Sequence, residues 1–516
     1  MLTPWNLSAT TALFLFPSVI LFFFIIQKWN NAKECSSKLP PGPPKLPIIG
    51  NLHLLSSPPI RCFRDLSKRY GPIMYLKLGE SSAVVVSSPE IAKEMLKDLD
   101  PIFADRPRGV AIEIMWYDYI DIVFCPYGDY WRQMRKICIN ELLSPRMVRS
   151  FRSIRRDEAC RLAAAVRESS GRVSNLTEKI FSFSSSITCR AAFGGVCKDS
   201  PALIKLMMET LQMAGVFEVE DLFPSSRIVR ALSRSKRRLV GMKKKLDVIL
   251  DGVIEEHREN LAKITAAAAA EGRDSGERLG NGEFGGEDLV DVFVRIKEGG
   301  EMEFPIGNDN IKSVLYDIFS AGTETSSSTI DWVMVELLRN PKAMAKLQAE
   351  LRQAETLEDD VVSKMKYLKL VIKETLRLHP PIPLVPRVSR EAREINGYTL
   401  PAGTKVMVNI WAMQRDPMLW DDPEKFEPER FANRALEFTG GDFEYLPFGT
   451  GKRMCPGITF GMATVELGLA HLLYNFDWKL PEGSKVEDLD MIENDGITAS
   501  RKDNLFVVAT PYHPLA

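Results

Sequence analysis

One eleven-residue stretch, "PFGTGKRMCPG" at 447–457, surrounds a single cysteine with three glycines, two prolines and two cations. An isolated cysteine is ordinarily a small buried hydrophobe or an idle thiol. This neighbourhood suits a different use. A thiolate that ligates iron needs its negative charge held by nearby donors, and a tight loop can supply backbone N–H groups. Gly449, Gly451 and Gly457 give the loop that backbone freedom. Arg453 adds a guanidinium able to clamp a carboxylate through two parallel hydrogen bonds. A helix beginning just past Cys455 would aim its positive end at the sulfur. These features make a cradle for an axial thiolate beside an anionic cofactor, and haem carries two propionates. Thiolate ligation pushes electron density onto iron and favours O–O cleavage.

Three further spacings could do chemistry. "WRQMR" (131–135) sets Trp131 and Arg135 four apart, on one helix face. "ETLR" (374–377) sets Glu374 and Arg377 one turn apart. "AGTETSS" (321–327) puts Gly322 inside a helical run, where glycine costs about 1 kcal/mol against alanine and so needs a reason. Taken singly, two of these have plain readings: a buried Trp beside a surface Arg, and a Thr and Glu on an amphipathic face.

Taken together they resemble a known family. Phe448, Gly451, Arg453, Cys455 and Gly457 fit F-x-x-G-x-R-x-C-x-G, the haem-binding signature of the cytochrome P-450 monooxygenases. The other three stretches resemble that family's W-x-x-x-R, E-x-x-R and [AG]-G-x-[DE]-T-[TS] motifs, in its order. The resemblance implies haem with Cys455 as the metal ligand. It implies that Trp131, Arg135, Arg387 and Arg453 attend the propionates. Glu374, Arg377 and Arg430 (in "FEPERF") become a structural triad that locks the haem-proximal loop. Thr325 and Glu324 become the alcohol–acid pair that manages protons on the oxygen-activating side, and Gly322 the point where the helix opens to admit O₂ and water. The electrons would come from NADPH through a separate cytochrome P-450 reductase, because the chain has no G-x-G-x-x-G fingerprint of its own.

"KLPPGPP", "FADRP", "PYGDYWRQMRK", "LRLHPP" and "INGYTLPAGT" look like the plant endoplasmic-reticulum hydroxylases, and "IMWYDYIDIVF", "ITCRAAFG" and "LFPSSRI" like mint-family enzymes acting on terpenes such as limonene. The implied substrate is a small apolar terpenoid. The expected pocket residues are Val110, Ile112, Ile114, Ile122, Ile318, Phe319, Ile382, Leu384, Val385 and Ile497, an aliphatic set with no buried cation. Four rivals stay open: an alkaloid substrate, a phenolic one, a reductase-independent hydroperoxide isomerase, and a non-catalytic haem-binding protein. The acid–threonine pair argues against the isomerase.

The elements that must position these residues follow from the rest of the chain. The 516 residues carry 67 Lys and Arg against 68 Asp and Glu, a balance that predicts no nucleic-acid partner. The eight cysteines form no CxxC pair, so neither a structural zinc site nor a disulfide framework is expected. From Met1 to Gln27 there is no charged side chain. "WNLSATTALFLFPSVILFFFII" (5–26) would span about 33 Å as a helix, which matches a bilayer core of about 30 Å. Lys28, Lys33, Lys38 and Lys45 follow it, which places the N-terminus in the lumen and the body in the cytosol.

The expected organisation is an anchor at 1–27, a basic and proline-rich hinge at 28–44 including "LPPGPP", and a monooxygenase domain at 45–516. The location implied is the endoplasmic reticulum membrane, single-pass. The body should be mainly α with small β-sheets, the triangular prism of that family. A strand is expected near "AVVVSSPE" (83–90), a solvated basic helix face at 227–245, a flexible loop at 265–288, and a last helix after Gly457.

Overall fold

The structure is a computed structural model and describes residues 39–56, 58–195, 199–215, 218–270, 282–283, 286–300 and 302–512. Its site-bearing helices are α1 (Pro59–Tyr70), α2 (Val110–Met115), α3 (Asp129–Cys138), α4 (Arg152–Glu168), α5 (Leu176–Ala192), α6 (Ser200–Met213), α7 (Val219–Leu222), α8 (Arg227–Leu232), α9 (Ser235–Ala270), α10 (Asn308–Arg339), α11 (Lys366–Leu378) and α12 (Ile458–Asn475). Three small sheets accompany them. One has the order β1 (Ile73–Leu78), β2 (Ser81–Val86), β7 (Lys405–Asn409), β4 (Leu384–Val388). Another runs β3 (Val173–Asn175), β9 (Phe506–Pro511), β8 (Phe476–Lys479), and the third pairs β5 (Arg393–Ile395) with β6 (Tyr398–Leu400). β2 and β7 pair in parallel with Val84 opposite Val406; the other pairs are antiparallel.

The centre of the molecule is α10, 32 residues and so about 48 Å long. The Asn310 side chain accepts from the Gly307 N–H at 2.8 Å to start it. It packs against α5, α11 and α12. A helix enclosed on all sides should be closed to solvent along its length. From Ile311 to Leu338 every residue is buried except Ala321, Gly322 and Thr325.

Local sequence explains several elements. The "AVVV" run forms β2, and a helix opens at Pro89 with Ser88 Oγ accepting the Ile91 N–H at 3.3 Å. The basic run lies on α8, the bend after it and the start of α9, where Arg227, Arg230, Arg234 and Arg237 face solvent. The 265–288 stretch is helical up to Ala270; residues 271–281 and 284–285 lie outside the described residues.

The proline stretch does not behave as a hinge from Leu39 onward. Pro41 O accepts the Tyr75 N–H at 2.9 Å. Asn51 Nδ2 donates to Pro43 O at 3.1 Å and to Pro44 O at 3.0 Å. A Cβ on Gly42 would fall 2.0 Å from Tyr75 O. Prolines cannot donate to the ladder, but their carbonyls accept, and here they staple the stretch to β1. The expected anchor and the basic residues 28–38 lie outside the described residues. Among the described residues no helix is long and apolar enough to cross a membrane, and the six described cysteines are all free.

Candidate active site

The 447–457 loop is held from several sides. Gly449 and Gly451 take φ of 69° and 70°. A Cβ at Gly451 would fall 2.5 Å from Leu96 O and 2.6 Å from Asp100 Oδ2, so only glycine fits. Gly457, at φ −94°, uses no such freedom; its contribution is an N–H directed at the Cys455 sulfur. Asp100 Oδ2 accepts the Lys452 N–H at 2.6 Å, and the Cys455 N–H donates to Phe448 O at 3.0 Å. Phe448 is half-buried against Phe438, ring centres 5.2 Å apart. The Cys455 thiol is free and accessible at its surface, although protein surrounds it closely. Desolvation by that protein pushes its thiol up, while the Gly457 N–H and the Arg135 charge pull it down. α12 begins three residues later with its N-terminus toward the sulfur.

A group of arginines stands beside the loop. Arg453 donates to Ala104 O at 2.8 Å, Ile122 O at 3.4 Å and Cys125 O. Two guanidinium groups approach the Trp131 ring, Arg135 at 5.2 Å and Arg453 at 4.5 Å from its centre, so the i,i+4 pair does share a face. Two expectations change here. The Trp131 N–H is not free, because it donates to Ile122 O at 2.9 Å. Arg135 donates to Met454 O, next to the cysteine.

Arg387 is 1% exposed, its Nε has no partner, and its Nη1 reaches only its neighbour Pro386 O at 3.2 Å. Sequence reasoning missed Arg106 of "FADRP", which donates to Pro386 O at 2.7 Å and Val123 O at 3.3 Å. Burial first, then the charge of Arg453, pushes Arg387 down to about 9. Burial first, then Arg387 and Arg453, lowers Arg106. Burial takes Arg453 down to about 10. Among the described residues none of these four arginines is ion-paired with a carboxylate. Buried cations that repel one another call for an anion, and a dianionic haem edge fits that requirement.

The expected triad closes. Arg377 Nε and Nη2 donate to Glu374 Oε2 and Oε1 at 2.8 and 2.9 Å, and Arg430 Nε donates to Glu374 Oε1 at 2.9 Å. The remaining Arg377 donors meet Gln414 O at 2.8 Å, Pro423 O at 2.7 Å and Lys425 O at 3.3 Å. Gln414, not singled out from the sequence, carries this order to the loop: its Nε2 donates to Leu376 O and Arg377 O, and its Oε1 accepts the Leu446 N–H at 3.0 Å.

Opposite the loop lies the open face of α10. Gly461 on α12 meets Ser326, the residue after Thr325, at 3.6 Å from its would-be Cβ, so the helix that follows the cysteine loop packs directly against this part of α10. Residues 318, 321, 322 and 325 share that face by helical periodicity. Thr325 Oγ1 donates to Ala321 O at 2.8 Å. The helix runs unbroken through Gly322, where an added Cβ would fall 3.0 Å from Thr188 Oγ1; close packing against α5, rather than a break, is the reason for glycine. Glu324 sits about 100° further round. It is buried, its Oε1 accepts from Thr498 Oγ1 at 3.1 Å, and its Oε2 has no partner. Burial lifts its carboxyl to about 7. It therefore faces the C-terminal loop rather than the open face.

The expected pocket set divides. Ile112, Leu384 and Ile497 line a cavity of about 370 Å³, together with Ala111, Phe124 and Ala214. Val110 and Ile114 line a second cavity of about 900 Å³ on the other side of α2. Ile122 and Ile318 are nearly closed off, and Ile382 is half-open. Phe319 does not belong: it is fully buried and stacks on Phe193, ring centres 6.3 Å apart, because it lies about 100° round from Ile318. Val385 does not belong either, since strand alternation turns it into the sheet core with Val84 and Val406. Nor is the lining free of cations. Lys405 is half-buried on the wall common to both cavities, beside Asp221, whose Oδ1 accepts the Val110 N–H at 2.9 Å.

Comparison with known proteins bears on this arrangement. The sequence profile for Cytochrome P450 matches residues 40–506. The chain is 53% identical over 509 residues to premnaspirodiene oxygenase of Hyoscyamus muticus, covering 98% of each. It is 51% identical over 511 residues to 5-epiaristolochene 1,3-dihydroxylase of Nicotiana tabacum, again covering 98% of each. Cytochrome P450 71D18 of Mentha gracilis is 48% identical over 512 residues, covering 98% of this chain and 99% of that one, so the mint likeness holds at slightly lower identity. A zebra fish cytochrome P450 solved with abiraterone superimposes with a TM-score of 0.69 at 25% identity, covering 88% of this chain and all of that one. The chain belongs to the cytochrome P450 family.

Proposed function

We propose that this monooxygenase hydroxylates a terpenoid hydrocarbon, with electrons from NADPH delivered by a separate reductase. The observation that carries the substrate class is the 370 Å³ cavity, whose lining is mostly apolar, with Lys405 and Asp221 side by side on one wall. Its size lies in the range of ligand pockets, about 300–1,000 Å³, and such a wall orients a ligand by shape. The names of the relatives support the same class. Cys455 would ligate the haem iron, and Arg387, Arg135 and Arg453, beside Trp131, would hold its propionates, with Phe448, Gly451 and Gly457 shaping the loop. Bound haem supplies oxygen activation; the chain supplies ligation, orientation and protons. Thr325 offers a hydroxyl at the open face. Glu324 stores a proton near neutrality, and reaches that face by turning away from Thr498.

The basic residues Arg132, Lys136 and Lys452 are exposed around the cysteine loop and form the docking face for an acidic reductase domain. Residues 1–27 form a single anchor in the endoplasmic reticulum membrane, with the body cytosolic. The test is reconstitution of the full chain with cytochrome P-450 reductase and a panel of terpenes, alkaloids and phenolics. Substrate-dependent NADPH use with a hydroxylated terpene is the expected result. Turnover confined to charged or phenolic compounds overturns the substrate class. Hydroperoxide rearrangement without reductase overturns the monooxygenase reading.

A further inference from the structure

Two buried acids meet above the site, and neither belongs to the family motifs. Asp317 lies on α10, one turn before Ala321. Its Oδ1 accepts the Trp116 indole N–H at 2.7 Å. Its Oδ2 accepts the backbone N–H of Ile122 at 2.8 Å and that of Val123 at 3.3 Å. Asp121, fully buried, accepts the Val123 N–H on Oδ1 at 2.7 Å, and the Phe124 N–H on the same oxygen. The Val123 N–H is therefore shared between the two carboxyls. On the other side, Ile122 O accepts from Trp131 and Arg453, the groups beside the cysteine loop. Residue 122 is thus a junction. Its N–H is tied to α10, its carbonyl to the cofactor cradle, and its side chain is one of the expected pocket walls.

We propose that Asp317 is a positioning residue that sets the width of the substrate space by fixing the 120–124 segment, with Asp121 as its proton-bearing partner. The inference rests on the pocket reading only in taking Ile122 and Phe124 as walls. Two adjacent carboxylates in a dry interior cannot both be charged. Burial raises both groups, and the charge of Asp121 raises Asp317 further. Three of the four oxygens accept an N–H, whereas Asp121 Oδ2 is buried with no donor. The shared proton therefore belongs on Asp121 Oδ2, and Asp317 is the ionised acceptor. The pair is faced by Arg453 and Arg106 as cations, and by Cys125, Cys138, Tyr130 and Tyr316, all neutral near pH 7. The sign follows: a raised acid keeps its proton through neutrality and loses it as pH rises. Two facing carboxylates then repel, and the segment loosens.

The test uses the haem-loaded full chain and two probes that ligate ferric haem, imidazole and 1-phenylimidazole. Spectral titration gives their ratio of affinities, which reports pocket width without any terpene. Asp317→Asn places an amide N–H against a backbone N–H and should shift the ratio by about fivefold, the weight of roughly 1 kcal/mol, at every pH. Imidazole binding and the ferrous–CO absorbance should stay as in the parent. The parent ratio should drift as pH rises and the retained proton leaves. Asp121→Asn mimics the protonated acid, so it should match the parent at neutral pH and abolish the drift. An unchanged ratio in Asp317→Asn overturns the proposal, as does an Asp121→Asn effect at neutral pH as large as that of Asp317→Asn. If Asp317→Asn does not retain haem, the parent and Asp121→Asn profiles decide. A drift that vanishes in the variant supports the proposal, and one absent from both or present in both overturns it.

Discussion

The cysteine loop and the space above it are built on opposite plans. The loop is defined by polar bonds from fixed partners: the Lys452 N–H on Asp100, the Leu446 N–H on Gln414, and Glu374 between two arginines. The upper space is apolar and assembled from distant segments, with Ile112, Leu384 and Ile497 brought together from three parts of the chain. The first plan tolerates little change, because a removed partner leaves a buried charge unpaired. The second tolerates substitution and responds by changing shape. The lesson is that chemistry and selectivity can vary independently in this molecule.

Four experiments break or sharpen that contrast, from the largest effect to the smallest. Cys455→Ser should abolish both the thiolate-type ferrous–CO absorbance and all monooxygenase turnover; survival of either removes Cys455 as ligand. Arg377→Ala leaves Glu374 facing Arg430 alone and opens three backbone carbonyls. It should cost about 3–5 kcal/mol and lower haem incorporation severely, measured as haem per polypeptide. Normal incorporation would mean the triad does not hold the loop.

Thr325→Ala should keep NADPH consumption while product per NADPH falls several-fold. Its companion is a pH profile. Burial lifts Glu324 to about 7, so its proton is held below that pH and lost above it. Product per NADPH should decline as pH rises through 7, and Glu324→Gln should flatten that decline. A profile identical in parent and variant takes Glu324 out of proton supply. The smallest effect separates wall from core. Ile382→Phe should change product regiochemistry with little change in haem content. Phe319→Leu should leave product ratios alone and lower stability by about 1 kcal/mol. The reverse outcome would exchange their assignments.

How much of this was legible in the sequence depended on range. The loop, the E-x-x-R pair and the α10 motif are short-range patterns; the structure joins the pair to Arg430, but turns Glu324 and Thr325 to different sides of α10. Arg106 was visible within "FADRP" but carried no spacing rule that marked it. Asp100, Gln414 and Asp317 were invisible because their partners lie far along the chain; Asp317 and Ile122 are 195 residues apart. Phe319 and Val385 were misassigned for a different reason. Leu384, next to Val385, does line the cavity, and Ile318, next to Phe319, lies on the open side of α10, yet one step turns a side chain about 100° on a helix and to the opposite face on a strand. Gly322 was correctly marked as unusual, but the sequence could not show Thr188 pressing on it.

The stapled proline stretch has a mechanical consequence. Residues 41–44 are bonded to β1 and Asn51, and the chain then runs on through Leu55, Pro58, Pro59 and Ile60, which wall the 370 Å³ cavity. Residues 41–60 are thus one continuous strap, fastened to β1 at one end and forming cavity wall at the other, so a pull on the first is passed along the backbone to the second.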